Sequence, residues 1–345
     1  MAIINDLRAT TTGKVFTASV VCGTTAYFVF RERQRHKRTV PISVDYHFTR
    51  KCNKTCRFCF HTEKSSDIAT EDEMKRGLKL LKDAGMRKIN FAGGEPSLYR
   101  KELSMLCQYC KIDLKLESVS IISNGTLIKK PWLQRNAQYI DVLGVSCDSF
   151  DEKTNTAIGR GTGNNVKMLF ELREWCRELV IKFKLNMVVC TLNWQEDMAA
   201  TVAQLDPFRR KCFQVLVVGG ENDASEEQTE EDKRKRDARQ LLISKEQFQA
   251  FCSKHKHLHC FVPEPNDLMA SSYLILDECL CFLDKGGAKE KQSGCILKVG
   301  VEEALKQITC DKEAFIKRGG EYDWSKDVPG QASGCGNGLP KEVEF

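Results

Sequence analysis

The chain has 345 residues, 41% apolar and 29% charged, which excludes a disordered or fibrous protein and leaves room for one large domain or two modest ones. The net charge of +6 is mild and part of it sits in one run, residues 31–38 (RERQRHKR), so charge does not mark the chain as a binder of polymeric nucleic acid. Seventeen cysteines in a chain of this length read mostly as reduced core thiols in a reducing compartment, not as a disulfide scaffold.

In chain order, the first feature is Val15–Phe30, an apolar, threonine-rich stretch without a charge, between Lys14 and the basic run. It is shorter than the ~20 residues that span a bilayer, and it lacks a convincing small-residue cleavage site. The first expectation is a segment lying in or dipping into a membrane; a transit peptide and a loosely ordered leader are the alternatives. The basic run favours the cytosolic, anionic face. On that reading a cytosolic catalytic domain is tethered to the surface of the endoplasmic reticulum or a lipid droplet.

From Pro41 onward, β-rich runs alternate with helical stretches. The predicted strands are Ile42–Thr49, Lys88–Gly93, Ser118–Ser123, Val142–Cys147, Val180–Cys190 and Arg209–Val218. The predicted helix Glu71–Ala84 carries Met74, Leu78 and Leu81 on one face, with a Thr70/Glu73 capping box. A second, Val166–Leu179, carries Val166, Leu169, Phe170, Arg173 and Cys176 on its face, and Ala199–Leu205 is a shorter third. Six β/α repeats imply an α/β fold with a parallel sheet and right-handed crossovers, curved into a partial barrel. The expected divisions are a leader (1–39), the barrel (40–218), a C-terminal α+β extension (219–329) with the apolar run Tyr273–Leu283, and a glycine-rich tail (330–345). The acidic-then-basic block 221–239 reads as a solvated helix or loop.

The chemistry concentrates in "TRKCNKTCRFCFHTEK", Thr49–Lys64, where Cys52, Cys56 and Cys59 follow the first strand. A structural zinc closes with four ligands, and only three are local. Cys107 and Cys110 fall within a predicted helix and read as core thiols. A disulfide would use two thiols and leave one over. Three thiolates suit a four-iron cluster whose fourth iron stays open for a non-protein ligand. A loop directly after the first strand places such a cluster at the C-terminal mouth of the sheet, where β/α barrels do their chemistry. Elsewhere, "GRGTG" (Gly159–Gly163) lacks dinucleotide-loop spacing, and "HKHLHC" (His255–Cys260) reads as surface histidines.

The spacing C-x3-C-x2-C resembles the signature of the radical S-adenosylmethionine (SAM) superfamily, as do "FAGGEP" (Phe91–Pro96) and "SNG" (Ser123–Gly125). The longer strings "YHFTRKCNKTCRFCFHTEK", "AGMRKINFAGGEP", "VSIISNGTLI", "SCDSFDE", "IGRG", "SYLILDE" and "KRGGEYDWSK" resemble the viperin family, over about Ser43 to Lys326. The resemblance implies a 4Fe–4S cluster on Cys52, Cys56 and Cys59, with SAM on its open iron. It places Phe58, Phe60, Gly93, Gly94, Glu95, Ser123, Asn124, Ser146 and Arg160 at the cofactor. Gly93 and Gly94 let the backbone approach closely, Glu95 accepts the SAM ammonium, Ser146 and Arg160 hold its carboxylate, and Ser123 and Asn124 help hold the ribose.

Alternation along the strands adds a substrate clue. Phe183, Leu185 and Met187 share one face; Lys182, Lys184 and Asn186 share the other. The outer face of a barrel is covered by helices, so the lysines point inward. Arg209 with Lys211, and Lys88 with Asn90, repeat the pattern. Confined cations need a polyanion such as a triphosphate; solvated residues at the barrel rim are the alternative. In the viperin family, residues matching Lys88, Lys184, Asn186, Arg209 and Lys211 lie in a nucleoside triphosphate site. The implied reaction is dehydration of CTP or UTP to a 3′-deoxy-3′,4′-didehydro nucleotide, a chain terminator of antiviral type, through a 5′-deoxyadenosyl radical, with Tyr273 as proton donor. Asp45 stands where family members commonly have Asn, which leaves CTP against UTP open. The chain ends in Phe345 where vertebrate members have a tryptophan used in cluster delivery, which leaves open how cluster-delivery machinery engages it. The electron donor is a further, unidentified partner. A radical SAM enzyme of another chemistry and a zinc-dependent interaction protein are the competing readings.

Overall fold

The computed structural model describes residues 40–61, 65, 67–219, 221–223, 236–285 and 292–326. The leader, most of the 221–239 block and the glycine-rich tail lie outside the described residues. The described residues from Val40 belong to one compact unit.

All six predicted strands form: β1 (Ser43–His47), β2 (Lys88–Ala92), β3 (Ser118–Ser123), β4 (Val142–Ser146), β5 (Lys182–Val189) and β6 (Arg209–Gln214). Each pairs in parallel with the next, as β/α crossovers require. The extension adds strands to the same sheet. β7 (Phe261–Glu264) pairs in parallel with β6, β8 (Leu274–Leu276) in parallel with β1, and β9 (Phe282–Leu283) antiparallel with β8. The order is β7-β6-β5-β4-β3-β2-β1-β8-β9. The run expected as one apolar stretch, Tyr273–Leu283, therefore folds back on itself. Asp277 makes the reversal: its Oδ1 accepts from the backbone N–H of Cys279 and of Cys281, both at 2.9 Å.

Helices cover the outer face as the alternation demands. Val44, Tyr46, Ile89, Phe91, Phe183 and Leu185 point outward into the core and are buried. Helix Glu71–Asp83 opens on the predicted capping box, with both Thr70–Glu73 bonds present; such a cap contributes about 1 kcal/mol. It buries Met74, Leu78 and Leu81. Helix Asn165–Glu178 corrects the expected face: its buried apolar residues are Leu169, Leu172 and Cys176, while Val166, Phe170 and Arg173 stay partly exposed. Cys107 and Cys110 are fully buried core thiols. His255 is buried rather than superficial, with Nε2 accepting from Met198 N at 3.0 Å and Nδ1 2.8 Å from the Phe251 carbonyl. No described helix is long and apolar enough to cross a membrane.

Register sets up the interior. Asp45 is level with Asn90, Asn90 with Ser120, Lys184 with Arg209, and Asn186 with Lys211. Polar side chains thus stand in rows on the inner face. Gly144 makes room for one of them: a Cβ there would lie 2.9 Å from Lys184 Cε and 2.7 Å from Ile122 Cδ1.

Candidate active site

The loop after β1 carries Cys52, Cys56 and Cys59, and backbone hydrogen bonds pin it from two sides. Gly94 N donates to Thr49 O at 2.8 Å and Glu95 N to Lys51 O at 2.8 Å; Thr55 N donates to Gly159 O at 3.2 Å and Arg57 N to Ile158 O at 2.9 Å. The pinning needs glycines. A Cβ on Gly94 would sit 2.1 Å from Lys51 O, and one on Gly159 2.4 Å from Thr55 O. Gly93, at φ +123°, turns the chain out of β2. The close approach that Gly93 and Gly94 permit is therefore first to the cysteine loop itself, a refinement of the expected approach to a cofactor, although both glycines also line the cavity.

The three thiols face one cavity together with Phe58, Phe60, Ser123, Asn124, Ser146 and Arg160. Asn124 Nδ2 lies 3.9 Å from Cys52 Sγ, and Lys54 N donates to that sulfur at 3.4 Å. Burial pushes Cys52 up to about 11 and Cys59 up to about 12, and raises Cys56 as well. A metal bound by these thiols would displace their protons, so its binding would release protons. Among the described residues no three His, Cys, Asp or Glu side chains are placed to hold a single metal ion. Three local thiols are one short of the four ligands that close a structural zinc, so the donor set fits a multi-iron cluster better than one zinc.

Glu95, expected to take the SAM ammonium, follows Gly94 at the end of β2, beside Ser123 and Asn124. It is fully buried and engaged by protein donors: Ser97 N at 3.0 Å, Ser97 Oγ at 2.5 Å and Ser123 Oγ at 2.6 Å on Oε1, and Asn124 N at 2.7 Å on Oε2. These bonds tie Ser123 and Asn124, which line the cavity, to the Glu95 carboxylate. Arg160 reaches the cavity with its guanidinium 5.5 Å from the Phe58 ring, paired to the buried Asp148 at 2.5 Å. Asp148 also accepts from Val188 N at 2.9 Å, so one carboxylate aligns both Arg160 and the end of β5.

Deeper in the same cavity, Lys88, Lys184 and Lys211 are joined by Lys285 and Arg318, with Asp45 and Asn186 beside them. Lys211 Nζ donates to Glu264 at 2.6 Å and to Tyr273 OH at 2.7 Å. The Arg318 guanidinium lies 3.7 Å from the Tyr273 ring and 3.6 Å from Glu264. Asn90 donates to Asp45 at 2.5 Å. Arg209, expected at the phosphates, stands behind Tyr322 instead. Its guanidinium is 4.3 Å from that ring and bonds the Gly319 carbonyl at 2.8 Å. Lys88 Nζ also reaches Tyr322 OH, at 2.7 Å. Lys285, Arg318, Glu264 and Tyr322 were not singled out from sequence. The string "KRGGEYDWSK" contained two of them, but no alternation pattern marked their direction. Buried polar atoms without a partner cluster here, among them Asn90 Oδ1, Asn186 Oδ1, Glu264 Oε2 and Arg318 Nε. Native interiors rarely leave such groups unpaired, so this cavity suits a polar ligand.

The crowding shows in the protonation equilibria. Burial lowers Lys88 to about 7, with Asp45 partly offsetting it and Arg209 and Arg318 adding to it. Burial likewise lowers Lys184 and Lys285 to about 8. Burial pushes Glu264 upward, but Lys211 and Arg318 outweigh it and hold the carboxyl below its usual range. A bound polyanion favours the charged lysines and pulls their pKa values back up, so binding takes up protons. Affinity for a triphosphate is therefore expected to fall as pH rises through about 7 to 8. Calorimetry in buffers of different ionisation enthalpy should show net proton uptake on binding; proton release would contradict this electrostatic reading.

The fold and the three-thiol cavity define a radical SAM protein. Residues 46–205 match the Radical SAM superfamily model. The fold resembles that of a solved structure, Streptococcus suis SuiB bound to S-adenosylmethionine, at TM-score 0.58 and 16% identity, covering 87% of this chain and 73% of that one. As a protein of the Radical SAM superfamily it takes a 4Fe–4S cluster and SAM as its cofactors.

Curated relatives narrow the class. The chain is 48% identical over 299 residues to the S-adenosylmethionine-dependent nucleotide dehydratase RSAD2 of Siniperca chuatsi, covering 86% of this chain and 82% of the relative. It is 48% identical over 300 residues to the protein of the same name from Danio rerio, covering 86% and 82%. It is 32% identical over 284 residues to the S-adenosylmethionine-dependent nucleotide dehydratase of a Thermoplasmatales archaeon, covering 82% and 96%. The chain belongs to the S-adenosylmethionine-dependent nucleotide dehydratases, the viperin family.

Proposed function

We propose that this protein is a nucleotide dehydratase acting on a pyrimidine ribonucleoside triphosphate, CTP or UTP. The observation that carries the reading is the convergence of Lys88, Lys184, Lys211, Lys285 and Arg318 on the cavity that also holds the three thiols. Two carboxylates, Asp45 and Glu264, face them. Cations in that number are stable in a confined interior when they share a polyanion. On this reading residues 40–218 form the catalytic barrel and 219–329 complete the substrate site.

Cys52, Cys56 and Cys59 would hold the cluster. When bound, cluster and SAM supply a one-electron cleavage that generates a hydrogen-abstracting radical. The chain's own residues do the positioning. Ser123 and Asn124, held by Glu95, and Ser146 and Arg160, held through Asp148, are placed to orient SAM. Phe58 and Phe60 keep water from the cluster side. Lys88, Lys184, Asn186, Lys211 and Arg318 hold the phosphates, with Arg209 supporting Tyr322 from behind, which fixes the ribose for abstraction at C4′.

Tyr273 then supplies the proton with which the 3′-hydroxyl departs as water, and one further electron from outside completes the closed-shell didehydro product. Burial raises its phenol well above the usual range, so it carries a proton at neutral pH. Lys211 fixes its oxygen. Tyr273→Phe is expected to leave 5′-deoxyadenosine formation largely intact while didehydro product per 5′-deoxyadenosine falls by about 10²-fold. Equal product yield from the variant would remove Tyr273 from the reaction. Asp45 borders the same space, and its acceptor-only carboxylate bears on base choice.

The reading extends to context. Residues 15–38 tether the cytosolic catalytic unit to an endoplasmic reticulum or lipid-droplet surface, and cluster-delivery machinery loads it. The test is incubation of reduced, reconstituted enzyme with SAM and each of CTP, UTP, ATP and GTP. Mass spectrometry should find a product lighter by one water from a pyrimidine triphosphate alone. 5′-Deoxyadenosine formation indifferent to all four would count against a nucleotide substrate.

A further inference from the structure

A radical dehydratase needs electrons from outside, and one face of the molecule is built differently from the rest. Three segments adjoin there: the cysteine loop 51–57, the start of helix Arg100–Gln108, and residues 124–136. They are joined by hydrogen bonds, Asn53 Nδ2 to Thr126 Oγ1 at 2.9 Å, Asn124 Nδ2 to Asn53 Oδ1 at 2.8 Å, and Arg100 Nη1 to Leu127 O at 3.4 Å. Residues 51–57, 96–101 and 124–136 contain eight Lys and Arg and no Asp or Glu. Arg57, Arg100, Lys101, Lys129 and Arg135 are exposed. Of the eight, Lys130 alone makes an ion pair with a described residue, Glu178 at 2.5 Å. Glu71, which feels Lys101, is already paired with Lys75 at 2.6 Å. A shallow groove lined by Arg100, Lys101, Lys129, Trp132, Arg135 and Tyr139 lies in this face, and Leu98 beside it is 41% exposed.

We propose that this basic face docks an acidic one-electron carrier protein, of the flavin or iron–sulfur class. The proposal rests on the radical-enzyme reading above. Two features point to this occupant. The three segments carry charge of one sign, and apart from Lys130 none of it is ion-paired with a described residue, as electrostatically steered encounter requires. The face is continuous with the cluster-binding loop: Asn124, at its inner border, touches both Asn53 and Cys52 Sγ. A carrier seated here delivers its electron through the wall that holds the thiols. In the transfer the carrier loses one electron and the oxidised cluster gains it; no bond forms or breaks.

The test compares the reconstituted enzyme with a Lys101→Glu, Lys129→Glu, Arg135→Glu variant and with a control of equal charge change on other elements, Lys245→Glu, Lys256→Glu, Lys312→Glu. The carrier is a purified acidic flavodoxin. Its Kd is measured by fluorescence titration at rising salt, alongside turnover driven by flavodoxin or by dithionite. The face variant should bind flavodoxin at least about 10-fold more weakly and lose carrier-driven kcat/KM in parallel. The wild type should lose affinity as salt rises, the control should match the wild type, and dithionite-driven turnover should be unchanged in all three. Wild-type affinity in the face variant would overturn the proposal, as would equal losses in the control. Selective loss of binding to anionic vesicles or RNA, with flavodoxin binding intact, would assign the face to another partner. Wild-type turnover with dithionite separately tests the reading on which the proposal rests.

Discussion

Cys56→Ala is expected to reduce SAM cleavage to the level of a protein-free control. Cys56 is buried, with Sγ 3.8 Å from the Gly159 carbonyl, between the other two thiols of the loop. A cluster held at three corners has no spare ligand, and among the described residues no other Cys lines this cavity. The loop should keep its path, because the backbone bonds from Gly94, Glu95, Thr55 and Arg57 do not involve the Cys56 side chain. The folded variant should therefore show ordinary thermal unfolding, little iron or sulfide, and no 5′-deoxyadenosine. Full iron content with undiminished cleavage would mean that Cys56 is not a ligand.

Lys184→Ala is the counterpart at the other end of the cavity. Lys184 is 5% exposed, seated in the space left by Gly144, and burial holds it at about 8. A charge-assisted hydrogen bond to phosphate is worth roughly 1.5–3 kcal/mol, so nucleotide affinity should weaken by about 10- to 100-fold. Iron content and SAM binding should stay at wild-type values, because Lys184 lies on β5 and touches neither the cysteine loop nor the residues that pin it. Loss of the cluster would show that the residue is structural. Unchanged affinity would return Lys184 to the rim reading that alternation alone left open.

The legible and illegible parts of the site divide along a physical line. Cys52, Cys56, Cys59, Lys88, Lys184 and Lys211 could be placed because local periodicity fixes them: a loop after a strand, or alternate positions on a strand whose other face is apolar. Glu264 could not. Its strand, Phe261–Glu264, is four residues long and contains Pro263, which argues against a sheet interior; at the sheet edge Pro is tolerated. Lys285 and Arg318 come from segments that return to the barrel through long-range packing, which no window of sequence reports. Glu95 and Arg209 were legible as members of the site but not in their partners. Whether a buried carboxylate faces ligand or protein depends on which serines fold beside it. The face of helix Asn165–Glu178 shows the same limit on a small scale, since packing against the rest of the fold buried Leu172 and left Phe170 partly exposed.

The two ends of the cavity define one claim: a nucleotide lies in the cationic interior with its ribose C4′ hydrogen turned toward the SAM side. The most direct measurement is label transfer from [4′-²H]CTP and [4′-²H]UTP in the reconstituted, reduced enzyme. The 5′-deoxyadenosine recovered should carry one deuterium with at least one of the two nucleotides. Abundant 5′-deoxyadenosine free of deuterium with both would contradict it.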